Sequence, residues 1–281
     1  MVASAVAWYG GKSRMLAELL PLIPDHRLYC EVFGGSAALL LAKLPVAVEV
    51  YNDLDSGLVN FWSVVADPSK FEQLQLRLAL TPYSEELFQQ WRHGWADGED
   101  DVEQARRWFL VARASFAGRF SRGGYSWRIS QHRTQSTAGR YLSAVDRLTD
   151  VHERLRGVQV DHADWSVMLN RYDHPDTLFY LDPPYVQSTR SGYIEGDRYR
   201  HEMTDDDHIR LVDRLLVAEA KVMLSGYDND IYRLLDEAGW SRHTFTTHIA
   251  AKQTDKPERT EVVWLSPNCN SVQGRLDLTK W

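Results

Sequence analysis

"LYCEVFGGSAALLLAKLPVAVEVYND", residues 28–53, holds two apolar runs of strand length, separated by a glycine pair and a leucine-rich stretch. Residues 28–33 read as a strand, Gly34 and Gly35 as a turn, the stretch from Ser36 as a helix, and residues 46–53 as a second strand. A short helix over 13–20 precedes them, and "SGLVNFWSVVAD" follows as another helix. Strands that are apolar almost throughout and alternate with helices belong to a parallel sheet covered on both faces. The chain therefore opens as an α/β fold.

Working outward, the alternation stops at Pro68 and resumes after Gly157. The intervening span is mainly helical. "VEQARRWFLVARASFAG" has helical spacing, and so does "TAGRYLSAVDRLTDVHERLRG", with Leu142, Val145, Leu148, Val151 and Leu155 on one stripe and Gly157 as the C-cap. Between them, Gly123-Gly124 within "RFSRGGYSWRIS" signals a hairpin or loop. Strand-like pieces then return in "VQVDHADW", "LFYLDPP", "KVMLSGY", "SRHTFTTHIA" and "RTEVVWLSP", with helices at about 205–219 and 230–238. Residues 68–157 thus read as an insertion into one sheet domain made of 1–67 and 158–281.

The 281 residues are 44% hydrophobic and 25% charged, ordinary for a soluble globular protein. Two cysteines and no N-terminal secretory pattern point to a reducing, cytoplasmic setting, and no run approaches the roughly 18 apolar residues of a membrane span. The net charge of −7 argues against a polyanionic partner, but Gln104 to Arg147 holds nine arginines against one acid, Asp146. These arginines are interleaved with Trp108, Phe116, Phe120, Tyr125 and Trp127. Guanidinium forks suit phosphate and aromatic rings suit base stacking, so this block favours nucleic acid over a merely solvated face.

The chemistry concentrates at strand ends. In "FYLDPPYV", residues 179–186, proline cannot join a ladder, so the strand 178–181 stops at Asp182, at the edge where open α/β sheets bind ligands. Asp before Pro is also plain turn chemistry, and these eight residues do not separate the two readings. Asp53 lies at the end of the second strand, 19 positions after Gly34, where a carboxylate can accept both hydroxyls of a ribose. The G-x-G-x-x-G fingerprint is absent, which disfavours a dinucleotide. "WYGGKS" at 8–13 lacks the first glycine of a P-loop, since Val6 stands there. Lys12 at a helix start is electrostatically misplaced for the helix and is available to an anion such as a ligand carboxylate. No His/Cys group has metal-ligand spacing.

Together these residues resemble the Dam-type DNA N6-adenine methyltransferases. "WYGGK", "EVFGGSAAL", "YNDLD" and "LDPPY" match that family's motifs over nearly the whole chain, in the order of its alpha class, with an insert ahead of the last. The resemblance implies a Rossmann-like sheet dependent on S-adenosylmethionine, with residues 68–157 as a mainly helical target-recognition domain. It implies double-stranded DNA as partner and no metal. For the cofactor it implies contacts from Trp8 and Lys12, Lys12 through the methionine carboxylate, with Phe33, Gly34, Gly35 and Asp182 lining the cofactor and Asp53 on the ribose. Asp164 would meet the cofactor adenine, although a structural loop aspartate reads equally well there.

For catalysis the resemblance implies Asp182, Pro183, Pro184 and Tyr185. The exocyclic amine of adenine is a poor nucleophile because its lone pair is delocalised. Asp182 and the Pro183 carbonyl would accept its two N–H bonds, while Tyr185 stacks on the flipped base. Arg113, Arg119, Arg122, Tyr125 and Arg128 are the expected DNA contacts, and the polar stretch "VQSTRSGYIEGDRYRHEMT" has the character of a lid. Two alternatives stay open: the same fold acting on cytosine N4, RNA or protein glutamine, and a DNA-binding relative without catalysis. Asp rather than Ser or Asn at 182 favours adenine, and the intact Asp53 and Asp182 argue against the inactive relative. The target sequence and the oligomeric state are not legible.

Overall fold

The computed structural model describes residues 1–8, 10–116, 120, 124–126, 136–186, 201–247 and 259–270. Its strands are β1 (Leu28–Glu31), β2 (Val48–Asn52), β3 (Val158–Asp161), β4 (Thr177–Leu181), β5 (Lys221–Tyr227), β6 (Ser241–Thr247) and β7 (Arg259–Leu265). They form one seven-stranded sheet in the order β3-β2-β1-β4-β5-β7-β6. Leu28 of β1 lies opposite Val48 of β2 and Thr177 of β4, and β1 to β5 are all parallel. Only β7 runs against its neighbours, lying between β5 and β6. The order reverses direction at β1 and β4, so their C-terminal ends diverge and leave a crevice.

The period-two alternation of the strands sorts the core into two layers. Tyr29, Tyr51, Leu178 and Tyr180 face one side, Cys30, Val50, Phe179 and Leu181 the other. Short α1 (Leu16–Leu19) and α2 (Ala38–Ala42) join the first side, with α3 (Ser56–Ala66) and α4 (Pro68–Ala79). Beyond α5 (Glu85–Gly94), α6 (Asp101–Ala114) and α7 (Thr137–Leu155) join the same core through Trp108, Phe109, Leu148 and Val151. The second side is covered by α8 (Trp165–Tyr172), α9 (Asp205–Leu216) and α10 (Arg233–Glu237). Three helices of the span 68–157 thus share a hydrophobic core with the sheet.

Several local expectations are corrected. The helix expected from Ser36 begins at Ala38, because Gly34 to Ala37 form a tight turn closed by Ala37 N–H on the Gly34 carbonyl at 2.8 Å, with Ala37 itself left-handed at φ 54°. Leu142 is 52% exposed rather than on the buried stripe of α7; Tyr141 and Ala144 take the buried positions, because the helix turns a wider face to α2, α3 and α4. That helix ends at Arg156, and Gly157 has no left-handed backbone, so it is not a glycine cap. Helix α8 follows β3 directly, where only a strand and a loop are expected; Asp164 is its N-cap, accepting from Ser166 N–H at 2.9 Å.

In the expected hairpin, Phe116 N–H donates to the Gly124 carbonyl at 2.8 Å and Ser126 N–H to the Ala114 carbonyl at 2.7 Å, bridging Ser115 and Tyr125 in antiparallel fashion. Gly123 lies outside the described residues, as do positions 187–200 of the expected lid.

Candidate active site

The glycine turn after β1 and the acid after β2 form one assembly. Gly34 N–H donates to the Asn52 carbonyl at 2.8 Å, which lays the turn against the end of β2. A Cβ on Gly34 would come within 2.1 Å of the Tyr51 ring, so only glycine fits there. Gly35 has φ 48°, its carbonyl accepts from the Tyr51 hydroxyl at 2.8 Å and Trp62 Nε1 at 3.1 Å, and its N–H donates to Asp53 Oδ2 at 2.8 Å. The other oxygen of Asp53 accepts from Asp55 N–H at 2.8 Å, and Asp55 caps α3 through Gly57 and Leu58 N–H. Asp53 is therefore not a helix cap. Each of its oxygens keeps a further lone pair for a ligand hydroxyl. Burial raises its pKa to about 6, against the backbone N–H bonds from Asp55 and Gly35.

Across the crevice, β4 is buried at all five positions and ends at Leu181, as proline at 183 and 184 requires. Asp182 follows immediately. Its Oδ1 lies 2.8 Å from the ammonium of Lys12, which is itself buried and stands 2.7 Å from Glu261 Oε1 on β7. The Tyr185 hydroxyl donates to Glu261 and accepts from Lys12, whose ammonium lies 4.8 Å from the Tyr185 ring centroid. The Tyr185 ring also leans on Tyr227 of β5, with centroids 4.3 Å apart. Burial raises the pKa of Asp182 to about 6, with Lys12 working downward and Glu261 upward. Burial alone would lower the Lys12 pKa, but Asp182, Tyr185 and Glu261 hold it well above the ordinary range.

One cavity of about 180 Å³ joins the two assemblies. Every residue expected to touch the cofactor lines it: Trp8, Lys12, Phe33, Gly34, Gly35, Asp53, Asp164 and Asp182. Pro184 lines it as well, and His201 to Met203 lie along its wall. Trp8 packs so closely on Gly35 that a Cβ there would meet its ring at 2.9 Å. Asp164 both caps α8 and lines the cavity, so its structural and cofactor readings coexist.

Sequence reasoning missed two acids, Glu31 and Glu261. Glu31 lines the cavity, accepts from the Tyr29 hydroxyl and Leu40 N–H, and burial raises its pKa to about 8. The available signal was an acid inside an apolar strand, "LYCEVF" and "RTEVVWL", since a buried carboxylate is costly without a partner.

The arginine block divides. Arg106 and Arg107 both pair with Glu103, at 2.6 and 2.7 Å, an acid one residue before the counted segment, so the two arginines share one compensating charge. Trp108 is fully buried between Phe61 and Trp8 and cannot stack on a base, because α6 is a core helix. Tyr125 packs at 5.3 Å on Tyr83 and 5.6 Å on Phe88. Arg113 is part-buried and donates to the Arg140 carbonyl at 3.3 Å, and its pKa is lowered by burial and by Arg147 and Arg140. Arg119, Arg122 and Arg128 lie outside the described residues.

A parallel sheet whose reversal point carries a glycine turn, a ribose-type acid and a D-P-P-Y loop has the architecture of a methyltransferase. The chain belongs to the D12 class N6 adenine-specific DNA methyltransferases, whose family model matches residues 8–249. No curated protein matches it significantly. Its reaction is transfer of a methyl group from S-adenosylmethionine to the N6 amine of adenine in DNA. No helix among the described residues is long and apolar enough to cross a membrane, and no group of His, Cys, Asp or Glu there could hold a metal.

Proposed function

We propose that the protein is a site-specific adenine methyltransferase whose cofactor lies in the cavity lined by the glycine turn and Asp53, and whose target base enters at Asp182. The observation that carries this reading is the single cavity holding Asp53 at the end of β2 and Asp182 at the end of β4. The donor set suits the cofactor: Asp53 keeps acceptor capacity for two ribose hydroxyls, and Trp8 and Phe33 line the cavity beside the glycine turn. S-adenosylmethionine supplies an electrophilic sulfonium methyl group. Lys12 is the proposed counter-ion of its methionine carboxylate, and to reach it the ammonium has to give up Asp182 or Glu261.

Asp182 and the Pro183 carbonyl accept the two N–H bonds of the target amine, which turns its lone pair out of conjugation and toward the methyl carbon. Tyr185 stacks on the flipped base. The amine that forms the new N–C bond sheds one proton, for which Asp182 is the nearest base. Proximity within the cavity supplies much of the rate. Residues 68–157 serve target recognition, with Arg113, Arg119, Arg122, Tyr125 and Arg128 toward DNA.

Asp182→Ala tests the reading. It is expected to abolish methyl transfer to duplex DNA while calorimetry shows S-adenosylmethionine still bound; turnover near the parent rate would overturn it. Mass spectrometry of digested DNA is expected to find N6-methyladenine.

A further inference from the structure

Glu261 has no role of its own in the reading above, yet it is a deeply enclosed acid beside the D-P-P-Y loop. It is 4% exposed, on a strand whose neighbours Val262, Val263 and Trp264 are fully buried. The reversed strand β7 brings it there: Glu261 pairs with Tyr227 at the end of β5, level with the tip of β4 where Asp182 and Tyr185 sit. A carboxylate in such a place is costly unless paired, and its partners are Lys12, proposed to face the cofactor, and Tyr185, proposed to face the base. Its Oε1 holds the Lys12 ammonium at 2.7 Å and accepts from the Tyr185 hydroxyl. One ammonium thus stands between two carboxylates, and the ring expected to stack on the base is tied by its hydroxyl to the more buried of them.

We propose that Glu261 is a positioning residue for methyl transfer: through Lys12 and Tyr185 it sets the orientation of the stacking ring and the charge felt by Asp182. The inference rests on Asp182 being the acceptor for the target amine. The Tyr185 ring is held from two sides, by the Tyr227 ring tilted at 58° to it and by Glu261 and Lys12 at its hydroxyl. This fixes the surface onto which a flipped base stacks before the base arrives. The groups facing Asp182 are Lys12 from the N-terminal segment, Tyr185 from its own loop, Glu261 from β7, Tyr180 from β4, Glu31 from β1 and Tyr232 from the turn before α10. Of these, Glu261 is the nearest added negative charge on the shared ammonium, and it opposes the ionisation of Asp182 that Lys12 favours.

The test is Glu261→Gln, which keeps the shape and an acceptor for the Tyr185 hydroxyl but removes the charge. The expected result is kcat lower by about 10- to 100-fold, the range that displacing a reacting group by up to about 1 Å brings, with S-adenosylmethionine affinity by calorimetry within about threefold of the parent. The acid limb of kcat/KM should move to lower pH, by about half a unit or more, because a like charge near Asp182 is gone. The fluorescence of 2-aminopurine placed at the target position should report altered stacking. Combined with Tyr185→Phe, the losses should be less than additive, since one change removes the charge and the other the hydroxyl of a single charge-assisted contact.

Parent kcat, pH profile and 2-aminopurine signal in a folded Glu261→Gln would overturn the inference. If that variant does not fold, Tyr185→Phe carries the test: it removes only the hydroxyl that Glu261 holds, and parent kcat and stacking there would overturn the inference equally. Asp182→Ala is assayed alongside. If it is inactive while Glu261→Gln behaves as the parent, only this inference fails; if it is active, the reading of the site fails with it.

Discussion

Asp53 Oδ2 accepts the backbone N–H of Gly35 at 2.8 Å, so the acid after the second strand holds the turn after the first. The residue read as a ribose ligand is also a brace, and substituting it acts on both roles. Asp53→Asn keeps an acceptor for Gly35 or Asp55 but loses the charge toward a ribose. Each charge-assisted hydrogen bond is worth about 1.5–3 kcal/mol, so S-adenosylmethionine affinity should fall by at least about tenfold. Asp53→Ala should in addition lower the melting temperature. Calorimetry and a thermal scan on both variants separate the roles; an unchanged dissociation constant in both would remove Asp53 from the cofactor site.

Gly34→Ala probes the same turn from the steric side. A Cβ at 2.1 Å from the Tyr51 ring cannot be absorbed without moving the ring or the turn, and Tyr51 is itself anchored to the Gly35 carbonyl. Overpacking of this kind costs about 1–3 kcal/mol, so urea denaturation should show a lower midpoint, together with weaker cofactor binding. Equal midpoints would mean that the turn is looser than its geometry.

The pH dependence follows from two carboxyls raised to about 6, Asp53 and Asp182. On the proposed function both must be ionised, one to accept ribose hydroxyls and the other to accept the target amine. Each loses that capacity as pH falls through its folded value. The kcat/KM profile should therefore be flat near neutrality and fall below about pH 6. Asp53→Asn should remove one of the two titrations and make the acid limb less steep. A profile flat down to pH 5 would contradict the assignment.

The arginines divide into two testable groups. Arg107 is paired with Glu103, so Arg107→Ala should leave DNA affinity nearly unchanged. Arg119→Ala or Arg122→Ala should weaken it, and each lost phosphate contact should flatten the slope of log affinity on log salt by about 0.9. A base contact would instead relax the methylated sequence, at a cost of about 1–3 kcal/mol. Parent affinity, slope and methylation pattern in both Arg119→Ala and Arg122→Ala would remove the recognition role from this segment.

Much of this protein is written locally. Apolar runs of strand length, the glycine pair and the prolines at 183 and 184 determine where strands stop, because backbone sterics and missing donors act within a few residues. For that reason Asp53 and Asp182 were legible as strand-end acids, and the α/β class followed from the alternation of apolar strands with helices. The tertiary structure alone decided what depends on residues far apart in the chain. Trp108 reads as an aromatic in a basic block but is a core residue, since α6 packs against α3 and α4. Arg106 and Arg107 read as free charge but face Glu103. Glu261, 79 positions after Asp182, reaches the same ammonium only because β7 runs antiparallel beside β5. Strand order and direction are set by the burial of whole faces, a sum over distant contacts that no local pattern carries.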